Sequence, residues 1–584
     1  LSTAPWLTHY ARALGAQVGA DADLHSAPPI TGMLKLGKYA AVEPEVDLNG
    51  YWIDGDQVRI GEIKIGASAT IGARTMLFPG ARIGKNAQIA PGSAVAGGVP
   101  SGERWAGAPA SRMGKARQPS AVRPPRSRRW VAAYGVSALV LSLMPVIAAL
   151  PGLAVLLRGD ATSLTGILYG VPLATVTSMA TFALLTVASV RLLAGGLHAG
   201  YHPVHSRQAW QAWATGLLMS MARVWLFPLY ASMITPAWLR ALGMKVGRDV
   251  ELSTVLALPS MTSVGDGAFL ADDTMVAPYE LEGGRLRVDH VRIGKRAFLG
   301  NSGMTAPGRK VPKDGLVAVL SAAPKKAKAG SSYLGMPPVE LRRASKDGDR
   351  SRTYDPPLRL KIARAAVEVC RIVPVMCTVA VAVLAVAALE WLAGSYGFVV
   401  AALLSGVVVL GAGVLAAAVT TVAKWALIGR IAVGDRPLWS SFVWRNELAD
   451  NFVEVLAAPW FAQRWLGTAP LNLWLRSLGA RVGRGVWCET YWLPEVDLIT
   501  LGDGVSVNRG CVLQTHLFHD RVMSIDTVVL RDGATLGPHG VILPAAMIGD
   551  NTTVGPASLV MRGESVPPGT RWFGNPIAAW NKRT

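Results

Sequence analysis

One stretch of this 584-residue chain holds residue types that can move a proton near neutral pH: Gln514-Thr515-His516-Leu517-Phe518-His519-Asp520-Arg521. A neutral imidazole takes a proton from an attacking amine or hydroxyl, and the reaction this suits is acyl transfer from a thioester. His516 is the candidate base, Asp520 a carboxylate able to orient the ring and stabilise its charged form, and His519 an alternative base or relay. Glu495, Asp497, Asp503 and Asn508 precede this stretch and are candidates for holding a substrate's cationic amino group, with exposed surface charge as the competing reading. His516, His519 and His539 also offer imidazoles to zinc, but their spacing fits no zinc pattern well, and no metal is expected. Gly300-Asn301-Ser302 reads as a turn within a repeat rather than as a carrier serine.

The elements that position these residues come in three copies. Pro5-Trp6-Leu7 running to Val18-Gly19, Pro236-Ala237-Trp238-Leu239 running to Val246-Gly247, and Leu473-Trp474-Leu475 running to Val482-Gly483 open alike. Each reads as a short amphipathic helix stopped by Gly. Trp105-Ala106-Gly107-Ala108-Pro109, Tyr333-Leu334-Gly335-Met336-Pro337 and Trp572-Phe573-Gly574-Asn575-Pro576 close alike. The period is roughly 230 residues, so each copy is a domain rather than a solenoid unit. Within a copy, aliphatic residues recur every sixth position: Leu530, Leu536, Ile542, Ile548, Val554 and Val560 in the third, and Ile65, Ile71, Leu77, Ile83, Ile89 and Val95 in the first. A six-residue period is neither helical nor that of a lone strand, and it predicts a parallel β-helix with three sides per coil. In the second copy Ile293-Gly294 and Leu299-Gly300 fit, and the period is expected to fail near Thr305. Gly37, Gly265 and Gly502 align, as do Gly72, Gly300 and Gly537, and Pro79, Pro307 and Pro544. In that register His516 corresponds to Tyr279 and Tyr51, so only the third copy has an imidazole there, on a segment expected to protrude as a loop.

Hydrophobic residues make up 51% and charged residues 16% of the chain, and mean hydropathy is +0.33. Trp130 to Leu157, Leu164 to Val190, Ile372 to Leu389 and Phe398 to Ala423 carry no charge and are each long enough to span a bilayer. Short links, at Arg158-Gly159-Asp160 and from Glu390-Trp391, make them two hairpins. The net charge of +20 would ordinarily suggest nucleic acid, but Arg112, Lys115, Arg117, Arg123, Arg126, Arg128 and Arg129 sit beside the first apolar run. That favours a membrane surface, with no nucleic-acid partner, and by the positive-inside rule places all three domains on the cytoplasmic side of a bacterial-type inner membrane. The Trp-rich stretches Gln208 to Trp238 and Leu438 to Trp474 read as interfacial amphipathic helices, or as domain core. Four scattered cysteines give no disulfide framework, and no signal peptide is visible. Residue 1 is Leu, so a processed product or fragment is expected, with a further hairpin upstream.

The hexapeptide repeats, the His on a loop and the closing Trp-x-Gly-x-Pro turn resemble left-handed β-helix acyltransferases, above all the xenobiotic acetyltransferases. Three such domains alternating with membrane hairpins resemble the C-terminal region of poly(amino acid) synthetases of the ε-poly-L-lysine type. The resemblance implies three tandem left-handed parallel β-helix domains alternating with transmembrane α-helical hairpins: domain 1 at 1–115, a hairpin at 116–200, domain 2 with interfacial helices at 201–350, a hairpin at 351–432, and the catalytic domain 3 at 433–584. It implies peptide or isopeptide bond formation, from an aminoacyl thioester on a carrier's phosphopantetheine to an amine of a free amino acid or growing polymer such as poly-lysine. ATP would act only at an adenylation domain, which with the carrier domain is expected upstream of Leu1. His516 would be the base, and Trp572, Gly574 and Asn575 would line the pantetheine channel. The three β-helices would form an internal pseudo-trimer, with homo-oligomers possible in addition. An acyl-CoA-dependent O- or N-acyltransferase, or a non-catalytic membrane scaffold or exporter, is the alternative.

Overall fold

The computed structural model describes residues 5–117, 123–125, 127–158, 163–276, 279–342 and 349–580. Aliphatic residues spaced by six become strands of two or three residues, such as Val528–Leu530, Thr535–Leu536, Val541–Ile542, Met547–Ile548, Thr553–Val554 and Leu559–Val560. Every third strand pairs in parallel, Leu530 with Ile548, Leu536 with Val554 and Ile542 with Val560. Leu501, Leu530 and Ile548 from one sheet, Val507, Leu536 and Val554 from a second, and Leu513, Ile542 and Val560 from a third are buried in one core. Each such side chain stabilises the unit by about 1.5–3 kcal/mol. The turns stack so closely that a Cβ on Gly502 would lie 2.7 Å from Asp532 N, and one on Gly537 2.6 Å from Pro556 N. Glycine is required there for lack of room.

The expected fold class needs correction. The strands of each unit form three separate sheets, of five, six and two strands in the first unit, four, six and three in the second, and five, six and three in the third. The outermost strands Ser111–Lys115, Val339–Arg342 and Ala578–Ala579 run antiparallel to their neighbours. Antiparallel hairpins interrupt every unit. The architecture is one of many parallel sheets with helices between them, not a set of left-handed β-helices. A six-residue period encodes which residues face inward; it does not encode the winding of the chain. The second copy also differs from expectation, since its pairing continues past Thr305, with Ile293 on Val311 and Leu299 on Val317.

The interruption falls at one place in every unit. Leu36 pairs with Ile65, Val264 with Ile293 and Leu501 with Leu530, a longer step than the later one from Leu530 to Ile548. The extra residues form the hairpins Tyr51–Asp54 with Gln57–Ile60, Glu280–Glu282 with Arg285–Val288, and His516–His519 with Val522–Ile525. The segment expected as a loop at His516 is therefore a hairpin, turned by Asp520 and Arg521 at φ 46° and 64°.

Each hairpin lies on another unit in cyclic order. Asn508 of the third unit clamps Ile53 of the first, its Nδ2 donating to the carbonyl at 2.9 Å and its Oδ1 accepting from the amide at 2.8 Å. Glu43 of the first accepts from Leu281 N of the second at 2.6 Å. Phe518 of the third packs on Phe269 of the second, ring centroids 5.4 Å apart.

Arg128–Arg158, Leu164–Ala194, Arg350–Tyr396 and Phe398–Leu427 are long and apolar enough to cross a membrane by length and composition. They pack as two pairs that meet where Leu164–Ala194 touches Val373–Tyr396. Their outer faces present apolar side chains such as Leu184, Leu403 and Val407. The link at Gly159-Asp160, and Arg126, lie outside the described residues. In the Trp-rich stretches, the helices Arg207–Trp225 and Ser441–Phe452 bury Trp213 and Trp444, while Trp225 stays exposed.

Candidate active site

His516 opens the first strand of the third hairpin. Its Nδ1–H donates to Glu495 Oε2 at 2.8 Å, which leaves Nε2 as the ring nitrogen free for proton transfer. The same Glu495 oxygen accepts from Thr515 Oγ1 at 2.6 Å, and Oε1 accepts from Asn446 Nδ2 at 2.8 Å. Glu495 holds this position with a left-handed backbone (φ 40°, ψ 57°) just before the short helix Val496–Leu498. Such a conformation is uncommon for a residue with a Cβ, and the three hydrogen bonds hold it. The matching residue before the second unit's short helix Pro259–Met261 is Leu258. Burial alone would raise the Glu495 carboxyl, but the His516 charge and the hydrogen bonds from His516, Thr515 and Asn446 keep it below its ordinary value. Burial alone would lower His516, but the Glu495 charge and hydrogen bond, with Asp450 and Asp272 adding to them, raise it above 6.5.

A helix faces this pair. Asn446, Asp450 and Glu454 lie four residues apart along it, so they form one stripe. The helix loosens to π geometry over Val453–Ala457, just where Glu454 sits. Glu454 accepts from Tyr491 OH at 3.1 Å, and burial pushes its carboxyl up to about 7. Burial and the neighbouring Glu495 charge raise the Asp450 carboxyl well above its ordinary value, His516 opposing and Asp272 reinforcing the rise. Among the described residues no hydrogen bond reaches the Asp450 carboxyl. Asp272 comes from the second unit, where Ser253 Oγ donates to it. The equivalent helix of the second unit is anchored by the same strand pairing, Gly200 with Val288 matching Gly434 with Ile525. Counting from those anchors, it carries Ala212, Gly216 and Ser220 at the three stripe positions. Of these two helices, only the third unit's carries the carboxylates.

The other residues expected at the site are spread around it. Asp520 contacts His519 at 3.5 Å, and the carboxylate on His516 is Glu495. Asp497 pairs with Lys424 at 2.8 Å, and Asp503 accepts from Arg484 N at 2.7 Å within a turn. Asn508 serves the clamp on Ile53, and His539 reaches Asp47 at 2.9 Å. Trp572 donates from Nε1 to Thr570 Oγ1 at 2.9 Å and lies against the core. Gly574 N donates to Ser558 Oγ at 3.0 Å. Asn575 donates to Leu320 O at 2.7 Å, while its buried Oδ1 has no hydrogen-bond partner. Asn446, Asp450, Glu454, Tyr491 and Asp272 escape a reading of the sequence around His516. The stripe at 446, 450 and 454 was a signal, hidden in a segment whose tryptophans drew attention to a membrane interface.

A cavity of about 820 Å³ runs where the three units meet, and Asp272, Trp492, Gln514 and Asn575 are part of its wall. Gln514 is two residues from His516 and Trp492 is next to Tyr491, so the cavity adjoins the histidine site.

The protein thus has three related units around a shared cavity, with the His516–Glu495 pair at one junction beside the half-buried carboxyl groups of Asp450, Glu454 and Asp272. Along 99% of its length it is similar to a poly(amino acid) synthetase, Delta-poly-L-ornithine synthetase of Acinetobacter baumannii (strain AB307-0294), with 28% identity over 611 aligned residues. The chain spans 46% of that relative's length. No family model matches the chain, and no solved structure matches it.

Proposed function

We propose that the chain forms peptide bonds during amino-acid polymer synthesis, joining a carboxyl activated as a carrier-bound thioester to an amine of a cationic amino acid or growing polymer. The observation that carries this reading is His516, held by Glu495 and surrounded by Asp450, Glu454 and Asp272. An alkyl amine has a pKa of about 10.4, so at neutral pH it arrives as an ammonium and must lose a proton to attack. His516 Nε2 takes that proton, while Glu495 fixes the tautomer and stabilises the imidazolium. As the carbon–sulfur bond breaks, the leaving thiolate takes the proton held by His516, and the new amide nitrogen gives its second proton to solvent. A diamino substrate brings a second ammonium, which does not react. That ammonium, lying beside Asp450, Glu454 and Asp272, lowers the raised Asp450 and Glu454 carboxyls and favours their charged form, so the pairing forms as the substrate binds. The relative's name specifies ornithine, a diamino acid, and lysine meets the same description.

Phosphopantetheine on a carrier supplies the activated carbonyl in this reading. The residues present fit such an arm at one point: Asn575 lines the cavity with an unpartnered buried Oδ1 that an amide N–H can satisfy. Trp572 is spent on the core and is given no part. The four apolar helices and the basic residues before Arg128 support an inner-membrane protein with its three units on the cytoplasmic side, acting together as an internal pseudo-trimer. Adenylation, with its ATP, and the carrier are assigned to other parts of the parent protein.

The test is polymer formation by the full-length membrane protein carrying His516→Ala. A fall of about a hundredfold or more, with the protein folded and carrier loading intact, is expected for loss of a general base. Full polymer yield from that variant would exclude the reading.

A further inference from the structure

A second cavity, about 750 Å³, lies between the first and second units and takes no part in the proposed chemistry. Arg104 and Arg117 of the first unit and Arg287, Arg309 and Lys325 of the second line it. Its carboxylates are few. Glu280 is paired with Arg287 at 3.1 Å. Glu43, pushed up to about 8 by burial, is mostly uncharged at neutral pH and already accepts from Leu281 N and Ala73 N.

Arg309 is the informative residue. Among the described residues, its buried Nη1 has no hydrogen-bond partner. Burial, and the charges of Arg287 and Arg104, hold its guanidinium below the usual range despite Glu280. Among the described residues no ion pair reaches Arg309, Arg104 or Lys325. Three guanidinium groups close enough to repel, one with a buried donor left unmet, are an unfavourable arrangement that an anion relieves. Arg287 is pre-positioned, held by Glu280, by Asp289 at 3.3 Å and by the Tyr201 ring at 5.8 Å. Pro307, Pro324 and Pro337 make the adjoining wall stiff. The floor is Met113, Met275, Met304 and Met336, soft apolar surface that adapts to an extended arm. Met275, Met304 and Met336 also line the cavity between the three units, so the two spaces share a wall.

We propose that this cleft binds a phosphate-bearing organic ligand, its phosphate on Arg309, Arg104 and Arg287 and its arm over the methionine floor. A soluble phosphomonoester and a phospholipid headgroup share this chemistry. The assignment does not depend on the polymerisation reading, because its readout is binding.

The experiment titrates the purified full chain in phosphate-free neutral detergent with 4′-phosphopantetheine and with pantetheine, calorimetrically, beside phospholipid analysis of the same preparation by mass spectrometry. Binding of the phosphorylated probe at least tenfold tighter than pantetheine, and weakened about tenfold to a hundredfold by Arg309→Ala but little by Arg309→Lys, supports a soluble ligand. An anionic phospholipid that copurifies with the unaltered protein and is lost from Arg309→Ala supports the lipid source. Equal binding of both probes, or none, with no phospholipid lost on substitution, overturns the proposal. Arg309 is half-exposed, and an unchanged melting temperature shows that the variant is folded.

Discussion

Replacing Glu495 by glutamine separates the charge of this residue from its size. Glutamine keeps an oxygen for Asn446 but removes the charge and puts an NH2 group where an acceptor had been. In the native site Nδ1–H donates to Glu495 at 2.8 Å. Against an amide NH2 the ring does better with Nδ1 as acceptor, which moves the proton to Nε2 and blocks the base. A hydrogen bond to a charged group contributes about 1.5–3 kcal/mol, and one pKa unit corresponds to about 1.36 kcal/mol. Loss of the interaction therefore lowers His516, because burial, which Glu495 had opposed, then meets only Asp450 and Asp272. The wrong tautomer costs a further factor of about a hundred to ten thousand in turnover, judged from triads in other enzymes.

The assay is polymer formation between pH 5.5 and 9.5 by the unaltered and Glu495→Gln proteins. In the unaltered protein the rate should climb with pH through a value above 6.5, as His516 loses its proton. In the variant that limb should shift to lower pH and the plateau should fall. Stability should follow as well. His516, with its raised pKa, contributes stability that is complete below its unfolded value and is lost as pH rises through the folded one. Glu495, with its lowered pKa, contributes stability that is complete above its unfolded value and is lost as pH falls through the folded one. The melting-temperature difference between the two proteins should then be greatest at about pH 4.5–6.5. A variant with the native plateau and an unmoved limb would refute the assignment of Glu495 as the partner of the base.

Asp450→Asn should raise the KM for a diamino acceptor by about tenfold, a charge-assisted contact being worth about 1.5–3 kcal/mol, and change kcat less; an equal KM would remove Asp450 from substrate recognition. Arg371 is buried, donates to Tyr230 O at 3.0 Å and Ala231 O at 2.9 Å, and pairs with Glu447, the neighbour of Asn446. Arg371→Ala leaves that half-buried carboxylate with only the Arg364 charge and the Tyr230 and Ala231 carbonyls without their donor, so a loss of about 1–3 kcal/mol is expected, read as a drop in melting temperature. Asn508→Ala unfastens Ile53 from the third unit and should cost about 1–3 kcal/mol; hydrogen exchange at the Ile53 amide should speed up, and unchanged protection would show that the clamp is dispensable.

The inward rows were legible because each aliphatic residue from Leu530 to Val560 had to face one core, and such a demand writes itself into the sequence at fixed intervals. The course of the chain around that core was not legible, since the same residues face inward whichever way it winds. His516 was legible as the one residue at its position differing from tyrosine in the sister copies. Its partner was not. Asp520 is four residues away, yet on a strand four residues are about 13 Å, and the hairpin turns Asp520 toward His519. Glu495 reaches the ring by an unusual backbone conformation that no residue pattern announces. Asp272 lies on another unit altogether, brought near by packing of Phe518 on Phe269. Short-range periodicity reports burial; a site assembled across units depends on contacts that periodicity does not record.

The three junctions between units share one geometry but not one chemistry. Where the second hairpin meets the first unit, Tyr279 OH lies 2.6 Å from His25 Nδ1. Both are buried, and burial pushes His25 down to about 3, so the pair is neutral. Where the first hairpin meets the third unit, Arg509 stacks on Tyr51 and reaches Asp47 at 2.9 Å, which His539 also contacts. Charges there are matched. At the third junction His516 and Glu495 satisfy each other, yet among the described residues no Lys or Arg pairs with Asp450, Glu454 or Asp272. Drawing uncompensated carboxyl groups even partly out of water is costly, and proteins keep such an arrangement where a ligand completes it. The two balanced junctions need no guest. The unbalanced one lies beside His516 Nε2 and meets the shared cavity at Asp272, and the guest that restores its balance is a cation carrying an amine, the acceptor that the proposed reaction requires.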